Sequence, residues 1–131
     1  MAKKTNAPIY VHEDTYNVIK SRYKEKLVGL KVSIIEANKK YQIKDLRFLT
    51  LRLSHDSACC LGFIFVDDKN SLGYITDTGF LPIPYIDLLK KVDALIIEAN
   101  HDVEMLHNSN RPWMLKERIL SIEGHMSNYI S

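Results

Sequence analysis

The sequence is short of the residues that mark several structural classes. Its two cysteines are neighbours, Cys59 and Cys60. One vicinal pair builds no disulfide framework, so a reducing compartment is the expectation. Five glycines and four prolines exclude a collagen-like or low-complexity chain. Charge of one sign is also missing: 18 basic residues face 16 acidic ones, for a net charge of +2. That balance excludes a polybasic or acidic tail protein and argues against a dedicated polyanion binder. No apolar run approaches the ~20 residues needed to cross a bilayer. Ala7–Val11 is too short for a signal-peptide core. The expectation is a cytoplasmic protein without membrane association. What remains is 131 residues, 46% hydrophobic, enough for one buried core.

Ile9–Val11 reads as a strand after Pro8, and Asp14 or Thr15 as a cap for the helix that follows. Tyr16, Ile19 and Tyr23 fall at helical spacing. The mixed-sign basic stretch Lys20–Lys26 fits a solvated helix face better than a phosphate contact. Short strands are expected at Val32–Ile35 and Tyr41–Ile43, and a longer one at Leu46–Leu53. Gly62–Val66 and Leu72–Thr76 form a hairpin around the turn at Asp67–Asn70. Pro82 and Pro84 open a helix through Lys91. Ala94–Ile97 reads as a buried strand, and Val103–Leu106 as a helical turn. Trp113–Ile122 reads as a helix that Gly124 ends, with Trp113 in the core. Strands followed by β-helix-β-helix point to an α/β (α+β) layered domain with helices on a mixed sheet.

Chemistry gathers where strands end. His55-Asp56 follows Leu53, Asp77 follows Thr76, and Glu98 follows Ile97. In α/β sheets the functional crevice lies beyond the carboxyl ends of strands. Imidazole and carboxylate are ligands for Zn, Mn or Fe. Each residue also has an ordinary reading: His55-Asp56 and Asp77-Thr78-Gly79 as turns, Glu98 as a residue orienting the helix start at Asn100-His101-Asp102. Cys59 and Cys60 read as small buried residues, and His12 as structural beside a cap.

Several motifs alter this weighing. They are His55-Asp56-Ser57, Leu61-Gly62-Phe63, Thr76-Asp77-Thr78-Gly79, Glu98-Ala99-Asn100-His101-Asp102 with Val103-Glu104-Met105-Leu106, Pro112-Trp113 through Ile119, and Gly124-His125-Met126-Ser127-Asn128. In this order and spacing they resemble the metallo-β-lactamase superfamily, and within it the YycJ-like (WalJ-like) hydrolases. The resemblance implies part of an αββα sandwich, with mixed sheets flanked by helices and one or two Zn or Mn ions at the sheet edges. It implies His55 and Asp77 as metal ligands, and Glu98 with His125 as an acid–histidine pair near the leaving group. It assigns no role to His101. The implied activity is that of a phosphodiesterase or nuclease on a nucleic-acid or other phosphodiester substrate.

The departures are equally specific. The family's His-x-His-x-Asp-His motif is absent, as is its late histidine motif, and Cys59-Cys60 stand where the family often has Asp-Pro. The expectation is a single partial domain over residues 1–131, inactive alone. It would leave a sheet edge uncovered and associate with itself or a complementing fragment. The alternative is a non-catalytic truncated or vestigial domain acting only by association. A plain nucleic-acid-binding module has little support from the charge.

Overall fold

The computed structural model describes residues 2–129. After a short helix α1 (Ala2–Thr5), strand β1 (Ile9–His12), helix α2 (Glu13–Leu27) and strand β2 (Val32–Ile35) form a β-α-β unit. Its two strands pair in parallel. Then come β3 (Lys40–Ile43), β4 (Leu46–Leu53), β5 (Cys60–Val66), β6 (Ser71–Ile75), α3 (Ile83–Leu89), β7 (Ala94–Ile97), α4 (Val103–Asn108) and α5 (Trp113–Leu120). The strands from β3 to β7 form one five-stranded sheet in sequence order. It is mixed as expected: β3 to β6 pair antiparallel, and β6 pairs with β7 in parallel across α3.

Register sorts the side chains onto two faces. Leu49, Leu51 and Leu53 of β4 lie across from Ile64, Gly62 and Cys60, and Ile75 lies beside Ile97. This face packs against Leu81, Leu89 and Met126 to form the main core. Glycines allow close packing here: a Cβ on Gly62 would meet Ile75 at 2.6 Å, and one on Gly73 would meet Leu89 and Leu95 at 2.8 Å. The opposite face carries Phe48, Thr50, Phe63 and Phe65. Tyr10 of β1 meets Phe48 edge-on, with ring centroids 6.4 Å apart. The small parallel sheet therefore lies against this aromatic face.

Local capping follows the side chains. His12, rather than Asp14 or Thr15, caps α2: its ring nitrogen accepts from the Asp14 N–H. Thr15 instead donates its hydroxyl to the Cys59 carbonyl, tying α2 to the loop before β5. Asp67 closes the β5–β6 turn by accepting from the Lys69 and Asn70 N–H groups, both at 2.7 Å. Pro82 precedes α3 and Pro84 lies in its first turn. Cys59 and Cys60 are partly buried.

Two further expectations are overturned. β7 is not buried: Leu95 and Ile96 are 43% and 48% exposed, because β7 is an edge strand. Trp113 is not core. It is 59% exposed, lies along the surface of α5 and donates its indole N–H to Glu117 one turn on. The residue α5 does bury is Lys116, whose ammonium donates to the His107 carbonyl near the end of α4.

Candidate metal centre

Three loops meet here, those that follow β4, β6 and α5. The chain leaving β4 carries His55 and Asp56. The loop after β6 carries Asp77, which adopts φ +58°. That left-handed conformation is uncommon outside glycine, although a short polar side chain tolerates it. It turns the chain sharply, and the Gly79 N–H returns to the Ser54 carbonyl at 3.1 Å. The third loop follows α5 and carries Glu123, Gly124 and His125.

Glycine makes the junction possible. A Cβ on Gly79 would lie 2.5 Å from the Ser121 carbonyl oxygen, and one on Gly124 would run into the Arg118 and Ile119 carbonyls. With Gly124 folded against the end of α5, the His125 N–H bonds the Ile119 carbonyl at 3.0 Å. The third loop is then held to the first. The Asp56 N–H donates to the Glu123 carbonyl, and His55 Nδ1 lies 3.1 Å and 3.2 Å from the carbonyls of Glu123 and Gly124. Asp56 pairs with Arg118 of α5. That guanidinium holds the Asp56 carboxyl below its ordinary value.

The result is a cluster in which one donor atom each from His55, Asp77 and His125 lies within 4.8 Å of the others. The His55 and His125 rings are 5.1 Å apart between centroids. Glu98 stands behind them. Its Oε1 bonds His125 Nδ1, and its Oε2 accepts the Thr78 N–H at 3.0 Å. Glu98 thus orients the histidine and the Asp77 loop, while Asp102 caps the following helix by accepting from Met105. All four residues singled out in the sequence are brought together. His125, read there only as the partner of Glu98, also stands with the metal-ligand candidates.

His101 lies behind this pair. Its backbone bridges to the segment of His125, with Asn128 N–H donating to the His101 carbonyl and Asn100 N–H to the Met126 carbonyl. Both ring nitrogens are buried without a hydrogen-bond partner among the described residues. Burial, reinforced by His125, lowers its basicity. Cys60, at the start of β5, reaches toward the Thr76 carbonyl at 3.7 Å. Burial, with Asp77 nearby, pushes its thiol up to about 11. Sequence reasoning missed this proximity; only the register between β5 and β6 reveals it.

Two imidazoles and one carboxylate form a donor set suited to a divalent transition metal, and an orphaned buried histidine beside them is a polar site that remains unsatisfied.

The fold is that of a metallo-β-lactamase-type domain. The family profile described as "Beta-lactamase superfamily domain" matches residues 1–128, and the chain belongs to that family, in its YycJ-like branch. It is 33% identical over 129 residues to exodeoxyribonuclease WalJ of Streptococcus pneumoniae, and 33% identical over 132 residues to exodeoxyribonuclease YycJ of Bacillus anthracis. Each alignment covers 98% of this chain and 48% of the relative, so the chain spans about half the length of the curated relatives it matches. The fold is shared with a diphosphatase from the PhnP family, at TM-score 0.66 and 18% identity, covering 95% of this chain and 40% of that one. It is also shared with the metallo-β-lactamase fold protein YhfI of Bacillus subtilis, at TM-score 0.64 and 19% identity, covering 98% and 48% respectively. Zn(2+)-bound PqqB from Methylobacterium extorquens has the same fold at TM-score 0.62 and 12% identity, over 76% of this chain and 40% of that one. Divalent metal use is a property of this fold family.

Proposed function

We propose that this chain carries half of the hydrolytic centre of a metal-dependent phosphodiesterase acting on nucleic acid. The single observation behind this reading is the convergence of His55, Asp77 and His125 within 4.8 Å, backed by Glu98. His55 and Asp77 are the metal ligands, for Zn or Mn, and one or two ions complete the site in the whole assembly. When bound, the ion supplies Lewis-acid stabilisation of charge on a phosphoryl oxygen. Glu98 fixes the ring of His125 through Nδ1. In its imidazolium form His125 donates a proton to the departing oxygen as the phosphodiester bond breaks. Asp77, held in its turn by the Gly79–Ser54 hydrogen bond, keeps its carboxylate facing the two imidazoles.

The chain alone is inactive on this reading. A catalytic zinc takes three protein ligands and keeps one position open, and the His-x-His-x-Asp-His set is not in this sequence. A segment carrying that set, on the same polypeptide or on another, completes the site.

The test measures two quantities on the full chain with and without a separately expressed His-x-His-x-Asp-His polypeptide from a YycJ-like protein. These are metal content after dialysis and hydrolysis of single-stranded DNA and bis(p-nitrophenyl) phosphate. The chain alone is expected to retain less than one ion and cleave neither. The mixture is expected to cleave with Mn or Zn. Asp77→Asn should lose metal and activity, and Glu98→Gln should lose activity by about 10²–10⁴-fold while keeping metal, the range for a general acid's contribution. A mixture that retains metal yet cleaves nothing would overturn the catalytic reading in favour of a domain that acts by association alone.

A further inference from the structure

The larger of the two described cavities lies away from the histidine–carboxylate cluster. A groove of about 670 Å³ opens on the helix-bearing side of the five-stranded sheet, at the end of β4 remote from His55. Arg47 at this end and Leu53 at the other are about 20 Å apart along the strand, at roughly 3.3 Å per residue. The groove lies beside α3, a short helix of seven residues. Its Leu88 and the following Val92 form one wall, and Leu49, Ile64 and Val66 form the floor. The outer strands β3 and β4 extend past it.

The rim is cationic. Register places Lys40 and Arg47 on the same side as Leu49, and Lys91 faces them from the end of α3. Lys40 and Lys91 are exposed, and neither forms an ion pair with a carboxylate among the described residues. Two of the neighbouring carboxylates are engaged elsewhere. Asp93 accepts from the Ser71 N–H and hydroxyl, both at 2.7 Å, and Asp67 accepts from Lys69 and Asn70. Asp68 reaches only Arg47, at 3.9 Å.

An apolar trough of this size under three basic side chains has the chemistry of a small-molecule site with one anionic end. We propose that the groove binds an amphiphilic acid, a single aliphatic chain of medium length bearing one carboxylate. The chain lies on Leu49, Ile64 and Val66, and the head sits among Lys40, Arg47 and Lys91. The site is independent of the cleavage chemistry, and no residue is common to both.

The probe is decanoate, titrated below its micellar concentration into the full chain and followed by calorimetry and methyl NMR. One molecule per chain is expected, with shifts at Leu49, Ile64 and Val66. Octanoate should bind about tenfold more weakly, since each buried methylene is worth up to about fourfold. The Lys40→Glu/Lys91→Glu variant should weaken decanoate at least fivefold. Lys40→Gln/Lys91→Gln provides the same test if charge reversal impairs folding. Three results would overturn the proposal: equal binding of decyltrimethylammonium, no change in the lysine variants, or shifts confined to the smaller cavity at Phe80, Leu95 and Met126. A dimer that blocks decanoate and survives the lysine substitutions would also overturn it, by placing a second copy in the groove.

Discussion

The two faces of the five-stranded sheet come from the same strands but are covered differently. On the helix side, Leu51, Leu53, Ile64 and Ile75 are buried under Leu81, Leu89 and Met126. On the other side, Phe48 and Thr50 are buried near the small parallel sheet, while Tyr74 and Ile96 stand 39% and 48% exposed. Around Ile75 the helix side is apolar and held by packing. The opposite side is closed at one end by aromatic rings and a hydroxyl, and open at the β6–β7 end. A strand's hydrophobicity therefore does not decide its burial; a covering layer does.

The sharpest test of this contrast is a matched pair. Ile75 is 0% exposed and Ile96, its near neighbour on the adjacent strand, is half in water. Ile75→Ala should cost about 2–5 kcal/mol through lost transfer and a residual cavity, and Ile96→Ala less than about 1 kcal/mol. Denaturant unfolding of both variants measures the difference. Equal losses would mean that the open face is covered in solution.

A smaller effect is expected at Thr50, which anchors the closed end of the second face. Its buried hydroxyl lies 2.7 Å from the Glu36 carbonyl and accepts from the Lys39 N–H at 3.0 Å, tying β4 to the β2–β3 turn. Thr50→Val keeps the shape and should cost about 1–3 kcal/mol for polar groups left unpaired. A neutral result would show that this end is held instead by the ring cluster of Phe48 with Tyr41, which stacks on it, and Tyr10, which meets it edge-on.

The smallest effect concerns the edge where both faces end. Ser71 hydrogen bonds hold the Asp93 carboxyl below its ordinary value of 3.8. A lowered value stabilises the fold above the unfolded-state value, and the contribution is lost as pH falls through the folded-state value. The stability difference between the native chain and Asp93→Asn should therefore be present at neutral pH and vanish in strong acid. A difference that persists there would assign it to packing.

Much of the fold is legible in the sequence, for local reasons. Leu46–Leu53 and Ala94–Ile97 are strands over the expected bounds, and the hairpin turn at Asp67–Asn70 falls where its Asx chemistry places it. The motif order also identifies the candidate cluster of His55, Asp77, Glu98 and His125. The errors are tertiary. Trp113 and β7 read as core because apolar residues normally find cover; here the edge position of β7 and the surface course of α5 leave them exposed. His12 caps α2 in place of Asp14 or Thr15 because Thr15 is drawn to the Cys59 carbonyl, 44 positions away.

By itself the sequence determined which stretches are extended or helical, where turns fall, and which side chains can ligate a metal, since these follow from residue type and spacing. Only the tertiary structure decided that Gly79 and Gly124 let three loops close on one another, that Glu98 reaches both His125 and the Asp77 loop, and that a basic-rimmed groove lies at the far end of β4. Those outcomes depend on backbone approach and register between segments distant in the chain, which no local pattern specifies.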